Sequence, residues 1–394
     1  MAKIIDINSS TYAERDRALA EALLRLRPAK DDEPAVSRLG GADWIDPTAF
    51  SRREPPQMSS TGFDSLDSIL GGGVCRGMSV GIGGVYGGGK SILLLQMAAA
   101  LASAGAAVLY ATPELTREEI LARAAARHIH TIGQAERLSF GEIRRMRHAD
   151  GRAFEAEARS AVASGLQAFA QEVGPRFDVL RFSEGEGLEL VRSALRFFRS
   201  VHMGRLVVLV VDPIQRLAPA QNAGMPDEVY RSALTSESER ISLVCSQVKD
   251  FADAGDISIL WGSDANSASF SPGESASAGF RGGPKVGNAA TTMFFLDRPR
   301  RSESVADFAK RTGVEATRFA CESNPLLEYG LPISEESAQL QPPVVVTTYK
   351  NREGANDSAG MRMVGHASAF LDCALRESPP PPPTSRHIGE DWDI

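Results

Sequence analysis

The chain is predicted to fold as an α/β protein with a mostly parallel sheet flanked by helices. Three observations carry that expectation. From about Thr61 to Cys373, short apolar runs alternate with helix-like segments. The runs are rich in β-branched residues and lack polar alternation, as in LVVLVV at 206–211, which suits strands covered on both faces. One Gly-rich turn lies between such a run and a long apolar helix, the arrangement of a strand–loop–helix unit.

The elements follow in order. Residues 1–57 read as an N-terminal helix and linker: Ser10 is placed to cap a helix over Thr11–Arg25, and Leu19, Leu23 and Leu26 share one stripe. The polar linker behind it includes RREPPQ at 52–57. Strands are expected at MSVGIG, Ala107–Thr112, Leu206–Val211, Ile257–Gly262, Thr291–Leu296 and Val344–Tyr349. The helix SILLLQMAAALASAG is closed by Gly105. Segment 267–289, rich in Ser, Gly and Ala, reads as a long mobile loop, and 299–342 as an ill-defined insertion. The core is thus 58–375, and 376–394 is a proline-rich acidic tail with PPPPP at 379–383 and EDWDI at its tip.

Composition narrows the function classes. At 43% hydrophobic and 24% charged over 394 residues, the chain has the material for a packed core. A net charge of −7 excludes a protein that is basic all over, and confines any nucleic-acid contact to a local basic channel. The 4 cysteines are scattered without a CxxC pair, so a zinc ribbon is not expected. MAKIIDINSS holds no long apolar run, and no stretch is long enough to span a bilayer, so a cytoplasmic location without a membrane partner is expected. The histidines of HIH at 128–130 face apart on a helix and read as structural. RPRR at 298–301 reads as a solvated turn.

Residues 84–91, GVYGGGKS, fit GxxxxGK[ST]. The spacing has a physical basis. Gly84, Val85, Tyr86, Gly87, Gly88 and Gly89 let successive backbone N–H groups converge on phosphate oxygens. Lys90 reaches the β- and γ-phosphates of ATP, and Ser91 offers a hydroxyl to Mg2+. The helix that follows aims its N-terminal dipole at the phosphates.

Two more carboxylates stand at strand ends. Glu114 follows the strand AAVLYAT and faces the ligand crevice, where it can polarise a water; it is equally placed as an acid in the first turn of LTREEILARAAAR. Asp212 ends the apolar run LVVLVV, the usual place for the carboxylate that supports Mg2+. Gln215 lies three residues on and is positioned to sense the γ-phosphate, or to serve a turn.

The order of these motifs resembles the RecA-like ATPases, and especially the DnaB-type hexameric replicative helicases. STGFDSLDSILGGGVCRG resembles the family's approach to its nucleotide loop. TPELTREEILAR is similar to the motif carrying its catalytic glutamate, which maps onto Glu114, and VVDPIQRL to the motif mapping onto Asp212 and Gln215. YKNREG resembles a Lys-x-Arg motif whose two cations enter the neighbouring subunit's nucleotide site; they map onto Lys350 and Arg352. The resemblance implies a P-loop core using ATP and Mg2+, a homo-oligomeric ring of hexamer type, and single-stranded DNA as partner. It also leaves the N-terminal helix or the C-terminal tail to meet a replication or repair protein. Where the family has an Arg-x-Glu-x-x-Gly loop that touches DNA, this chain reads GFRGGPKVGNAA: Arg281 fits, Gly283 replaces the glutamate, and Arg281 and Lys285 are the expected DNA contacts. Loops 216–230 and 267–287 are expected to face the ring's channel. YKNREG and GGPKVG also resemble RadA-type branch-migration ATPases, and the entry segment STGFDSLDSILGGGVCRG also resembles KaiC-type ATPases. The rival from another class is a nucleotide-switched loader or signalling assembly factor that does not unwind DNA.

Overall fold

The computed structural model describes residues 54–131, 138–183, 186–221, 225–255, 257–265, 280–281, 284–299, 303–314, 342–352, 354, 356–365 and 367–373. The helix expected over Thr11–Arg25, most of the loop expected before residue 284, residues 315–341 of the insertion and the tail from 374 lie outside them.

The described chain opens with α1 (Asp64–Ile69) and then β1 (Ser79–Gly84). It continues through α2 (Lys90–Ser103), β2 (Ala107–Thr112), α3 (Arg117–Thr131), α4 (Phe140–Arg145), α5 (Ala156–Val173) and β3 (Phe177–Arg181). Next come α6 (Leu188–Val201), β4 (Val207–Val211), α7 (Asp227–Thr235), α8 (Glu237–Gly255) and β5 (Ser258–Asp264). The last part holds α9 (Pro284–Ala289), β6 (Thr292–Asp297), α10 (Val305–Thr312), β7 (Pro343–Asn351), β8 (Ser358–Val364) and β9 (Ala369–Asp372).

One sheet has the order β3-β2-β4-β5-β1-β6-β7-β8-β9. Its first six strands pair in parallel, and β7, β8 and β9 add antiparallel to β6. Every residue of β1, β2 and β4 is buried, as the uninterrupted apolar runs require. Side chains still alternate between faces. Val208 and Val210 pack with Leu93 and Leu94 of α2, whereas Val207, Leu209 and Val211 pack with Leu195 of α6 and Val244 of α8. The result is a three-layer sandwich of helix, sheet and helix. A separate cluster joins α3, α4 and α5 through Ala125, Ile129, Ile143, Ala158 and Val162. There His128 Nε2 lies 2.7 Å from Glu172, tying α3 to α5, so its role is structural.

Three strands are additions to the expectation. β3 is a short edge strand whose FDVLR carries two charges, and β8 and β9 form a hairpin at the opposite edge of the sheet; none has the long apolar run that marks a central strand. Residues 284–289 are the helix α9 rather than loop, and the insertion contains α10, capped by Ser304 and packed through Phe308. Likewise 216–230 is not loop throughout: Ile214–Arg216 is a 3-10 turn and α7 starts at Asp227. No helix among the described residues is long and apolar enough to cross a membrane.

Candidate nucleotide site

The turn 85–89 links the carboxyl end of β1 to α2. Gly89 is left-handed at φ 102°, and a Cβ there would meet Phe370 Cζ at 2.8 Å, so only glycine serves at this position. Phe370 is held over the loop by β9: its carbonyl accepts from Gln96 Nε2 (3.0 Å), and its N–H donates to Gln96 Oε1 (2.8 Å). No side chain caps α2, so its first N–H groups stay available to an anion.

Lys90 is buried, and its ammonium has three acceptors: the carbonyls of Gly84 and Val85, each at 3.0 Å, and Asp264 Oδ1 at 2.9 Å. Asp264 ends β5, directly beside Gly84 in the register of β1 and β5. Asp212, also buried, lies between two hydroxyls. Tyr110 donates to its Oδ2 at 2.7 Å, and Ser91 hydrogen-bonds its carboxylate. Burial pushes the Asp212 carboxyl up from its ordinary range, and these two donors oppose the shift. Room for the carboxylate comes from Gly262, where a Cβ would sit 2.9 Å from Asp212 Oδ1. Ser91 and Asp212 thus converge from α2 and β4, a hydroxyl and a carboxylate of the hard oxygen chemistry that suits Mg2+.

Glu114 and Gln215 flank this pair. Glu114 stands half exposed beyond β2, and its Oε1 lies 3.3 Å from Arg216 Nε. Its backbone N–H donates to Thr112 Oγ1, which fixes the turn that presents it. Gln215 is buried; its Nε2 donates to Ser263 Oγ (2.7 Å) and to the Arg281 carbonyl (3.4 Å), while its Oε1 finds no partner among the described residues. A buried carbonyl left open beside such a site fits a ligand or a water.

The other expected residues lie apart from this centre. Lys350 Nζ donates to the carbonyls of Gly287, Asn288 and Ala290, closing the C-terminal end of α9 within its own chain. Burial and the neighbouring Arg352 and Lys249 hold its ammonium below the usual lysine range. Arg352 is exposed at the end of β7. Arg281 is half exposed and pairs with Glu237 at 2.7 Å. Lys285 falls in α9, and its side chain lies outside the described residues.

Three site residues escaped the sequence reading. Tyr110 and Asp264 are visible only through strand register, which no local motif encodes. Arg298 reads as part of a solvated turn, yet its Nη1 donates to the Gly87 carbonyl at 2.9 Å. The reason is α10, whose Arg311 bonds Asp297 (2.6 Å), Glu303 (2.7 Å) and the Arg298 carbonyl (3.2 Å), folding the segment back onto the loop.

A parallel sheet with a Gly-rich phosphate loop at a strand's carboxyl end, a buried lysine and a hydroxyl–carboxylate pair is the arrangement of a P-loop domain on a RecA-like fold. Comparison with known proteins agrees. Residues 59–176 match the family described as "ATPase: KaiC". The chain is 45% identical over 75 residues to DNA repair protein RadA of Haemophilus influenzae, a stretch that is 19% of this chain and 16% of that protein. It is 48% identical over 65 residues to RadA of Campylobacter jejuni, 16% of this chain and 15% of that protein. The matched stretches are thus a small part of these curated relatives. Among solved structures, the ATPase domain of G40P superposes with a TM-score of 0.58 at 16% identity, covering 82% of this chain and 94% of that one. A DnaB-like replicative helicase, solved with its interactions with primase, gives 0.60 at 16% identity, covering 91% and 73%. The chain therefore has a RecA-like fold shared with DnaB-like helicase structures, and its residues 59–176 are similar to the KaiC ATPase family.

Proposed function

We propose that the protein is a ring-forming, Mg2+- and ATP-dependent DNA translocase or helicase of the DnaB-like type, acting on single-stranded DNA in replication or repair. The observation that carries the ATP part is the convergence of Lys90, Ser91 and Asp212 on one loop, with Glu114 and Gln215 beside it. The DNA part rests on the likeness to a DnaB-like helicase over 91% of this chain. The ring itself, as a homohexamer, rests on that same likeness and on the exposed Arg352.

Each side chain has a task in this reading. Backbone N–H groups of 85–89 and the N-terminus of α2 bind phosphate oxygens. Lys90 neutralises phosphate charge, and Ser91 and Asp212 would hold Mg2+, which would supply further positive charge against the phosphates. Glu114 takes the proton of the attacking water. Gln215 links the site to the Arg281 carbonyl and Ser263, so it is placed to report phosphate occupancy toward the segment that carries Arg281. Arg352, with Lys350 beside it, completes the site of the next subunit.

Single-stranded DNA is expected to stimulate hydrolysis. The contacts are to phosphates through Arg281 and Lys285, so binding is sequence-tolerant and steeply salt-dependent. Replacing both by Ala should lower DNA affinity, flatten the dependence on salt and remove the stimulation. Affinity measured across a salt series checks this. A double variant with unaltered affinity and slope removes the DNA contact from these two residues. Hydrolysis that ignores DNA altogether favours the nucleotide-switched loader or signalling factor. The RadA-like reading is favoured instead by activity on three-stranded joint molecules, and the short RadA matches are the observation that keeps it in view.

A further inference from the structure

An ammonium has three N–H donors and no more. In this chain all three of Lys90 are engaged: two by carbonyls of the loop itself and the third by Asp264. A phosphate oxygen therefore reaches Lys90 only by displacing an acceptor. The Gly84 carbonyl ends β1, locked in register with both β5 and β6, and the Val85 carbonyl is held in the turn, where it accepts from the Gly88 N–H at 3.0 Å. Moving either one shifts main chain, of the sheet for Gly84 and of the turn for Val85. The Asp264 carboxylate is the acceptor that leaves by side-chain rotation, and its side chain keeps 24% of its exposure, against 8% for Lys90. Its backbone stays fixed meanwhile, because its carbonyl accepts from the Arg281 N–H at 3.0 Å and Ala265 N–H donates to Gly84.

We propose that Asp264 is a built-in competitor for nucleotide. It occupies the third donor of Lys90 when the site is empty, yields it to a phosphate, and takes it back as phosphate leaves. The carboxylate mimics the charge and acceptor character of a phosphate oxygen while tethered a rotamer away. Two consequences follow. The empty site avoids a buried lysine without a counterion. Nucleotide affinity is held down and release is quickened, because every binding event breaks an ion pair and leaves a carboxylate beside the incoming polyphosphate. A site that turns over gains from rapid release of the spent diphosphate. The inference rests on the ATPase reading of the loop and adds to it a side chain that regulates occupancy.

The test measures binding and release rather than turnover. Fluorescent ADP and a non-hydrolysable ATP analogue are titrated into the full-length protein and its Asp264→Asn, Asp264→Ala and Asp264→Glu variants, with dissociation followed by stopped flow. Asn and Ala should bind roughly tenfold or more tightly, the equivalent of one charged hydrogen bond no longer broken, with slower dissociation. Glu should stay near the parent, since it keeps the carboxylate. Thermal melting supplies a second readout. Without ligand, Asn and Ala should melt below the parent, because Lys90 has lost its counterion; with ligand, their gain in melting temperature should exceed the parent's. Lower stability together with equal or weaker nucleotide binding would make Asp264 merely structural and overturn the proposal. If neither the parent nor any variant binds nucleotide, the ATPase reading itself falls, and the competitor with it.

Discussion

Replacing Arg352 by Ala is expected to cost about a thousand-fold or more in ATP hydrolysis while leaving nucleotide binding in place. The residue stands exposed at the end of β7, and none of the described contacts joins it to residues 84–91 of its own chain. Its backbone is fixed, because its N–H donates to the Thr291 carbonyl at the foot of β6. A guanidinium so placed has a planar fork to offer a neighbour's phosphate, where charge grows as the bond to the γ-phosphoryl group breaks. Lys350 is less free, since its three donors close α9. Arginine is thus expected to supply most of the effect, and Lys350→Ala to act partly through loss of the α9 contact. Mixed rings separate the two half-sites. Subunits with Arg352→Ala and subunits with Lys90→Ala are each inactive alone, yet an intact loop from one meets an intact arginine from the other. Partial recovery across mixing ratios, measured as phosphate release, is the expected result. No recovery in stable mixed rings removes the shared site.

The second large effect belongs to Glu114. Glu114→Gln should bind ATP as the parent does and lose roughly a hundred- to ten-thousand-fold in hydrolysis, the usual worth of a general base. The amide keeps the shape and the hydrogen bond toward Arg216 but no longer accepts a proton. Binding is spared because Lys90, Ser91 and Asp212 are untouched. Equilibrium binding and single-turnover hydrolysis, taken together, check both halves. A variant that hydrolyses at the parent's rate assigns the base elsewhere and leaves Glu114 as an acid at the start of α3.

The parts of this site that were legible in the sequence are those whose chemistry is local. GVYGGGKS is one contiguous turn, and its glycines are needed by the backbone there, as Gly89 under Phe370 shows. LVVLVV reads as a buried strand because its neighbours on both faces are apolar, and Asp212 stands out at its end for the same reason. Contacts made across the sheet were not legible. Asp264 meets Lys90, and Tyr110 meets Asp212, only once β1, β5, β4 and β2 are in register. β1 shows the same limit: its Gly81 and Gly83 carry no helical or turn signal, and their reason is the space filled by Trp261, Met293 and Phe280. The bonds from Lys350 to the end of α9 are not readable from a Gly- and Ser-rich stretch, and RPRR reads as solvated because α10 lies in an insertion of no clear period.

The central claim is that the loop at 84–91 binds and hydrolyses ATP with Mg2+. The most direct measurement is phosphate release by the purified full-length protein, with and without Mg2+, beside its Lys90→Ala variant and with nucleotide binding followed in parallel. Magnesium-dependent turnover in the parent, and loss of both binding and turnover in the variant, are predicted. Turnover that persists in Lys90→Ala, or a parent that binds no nucleotide, would contradict the account.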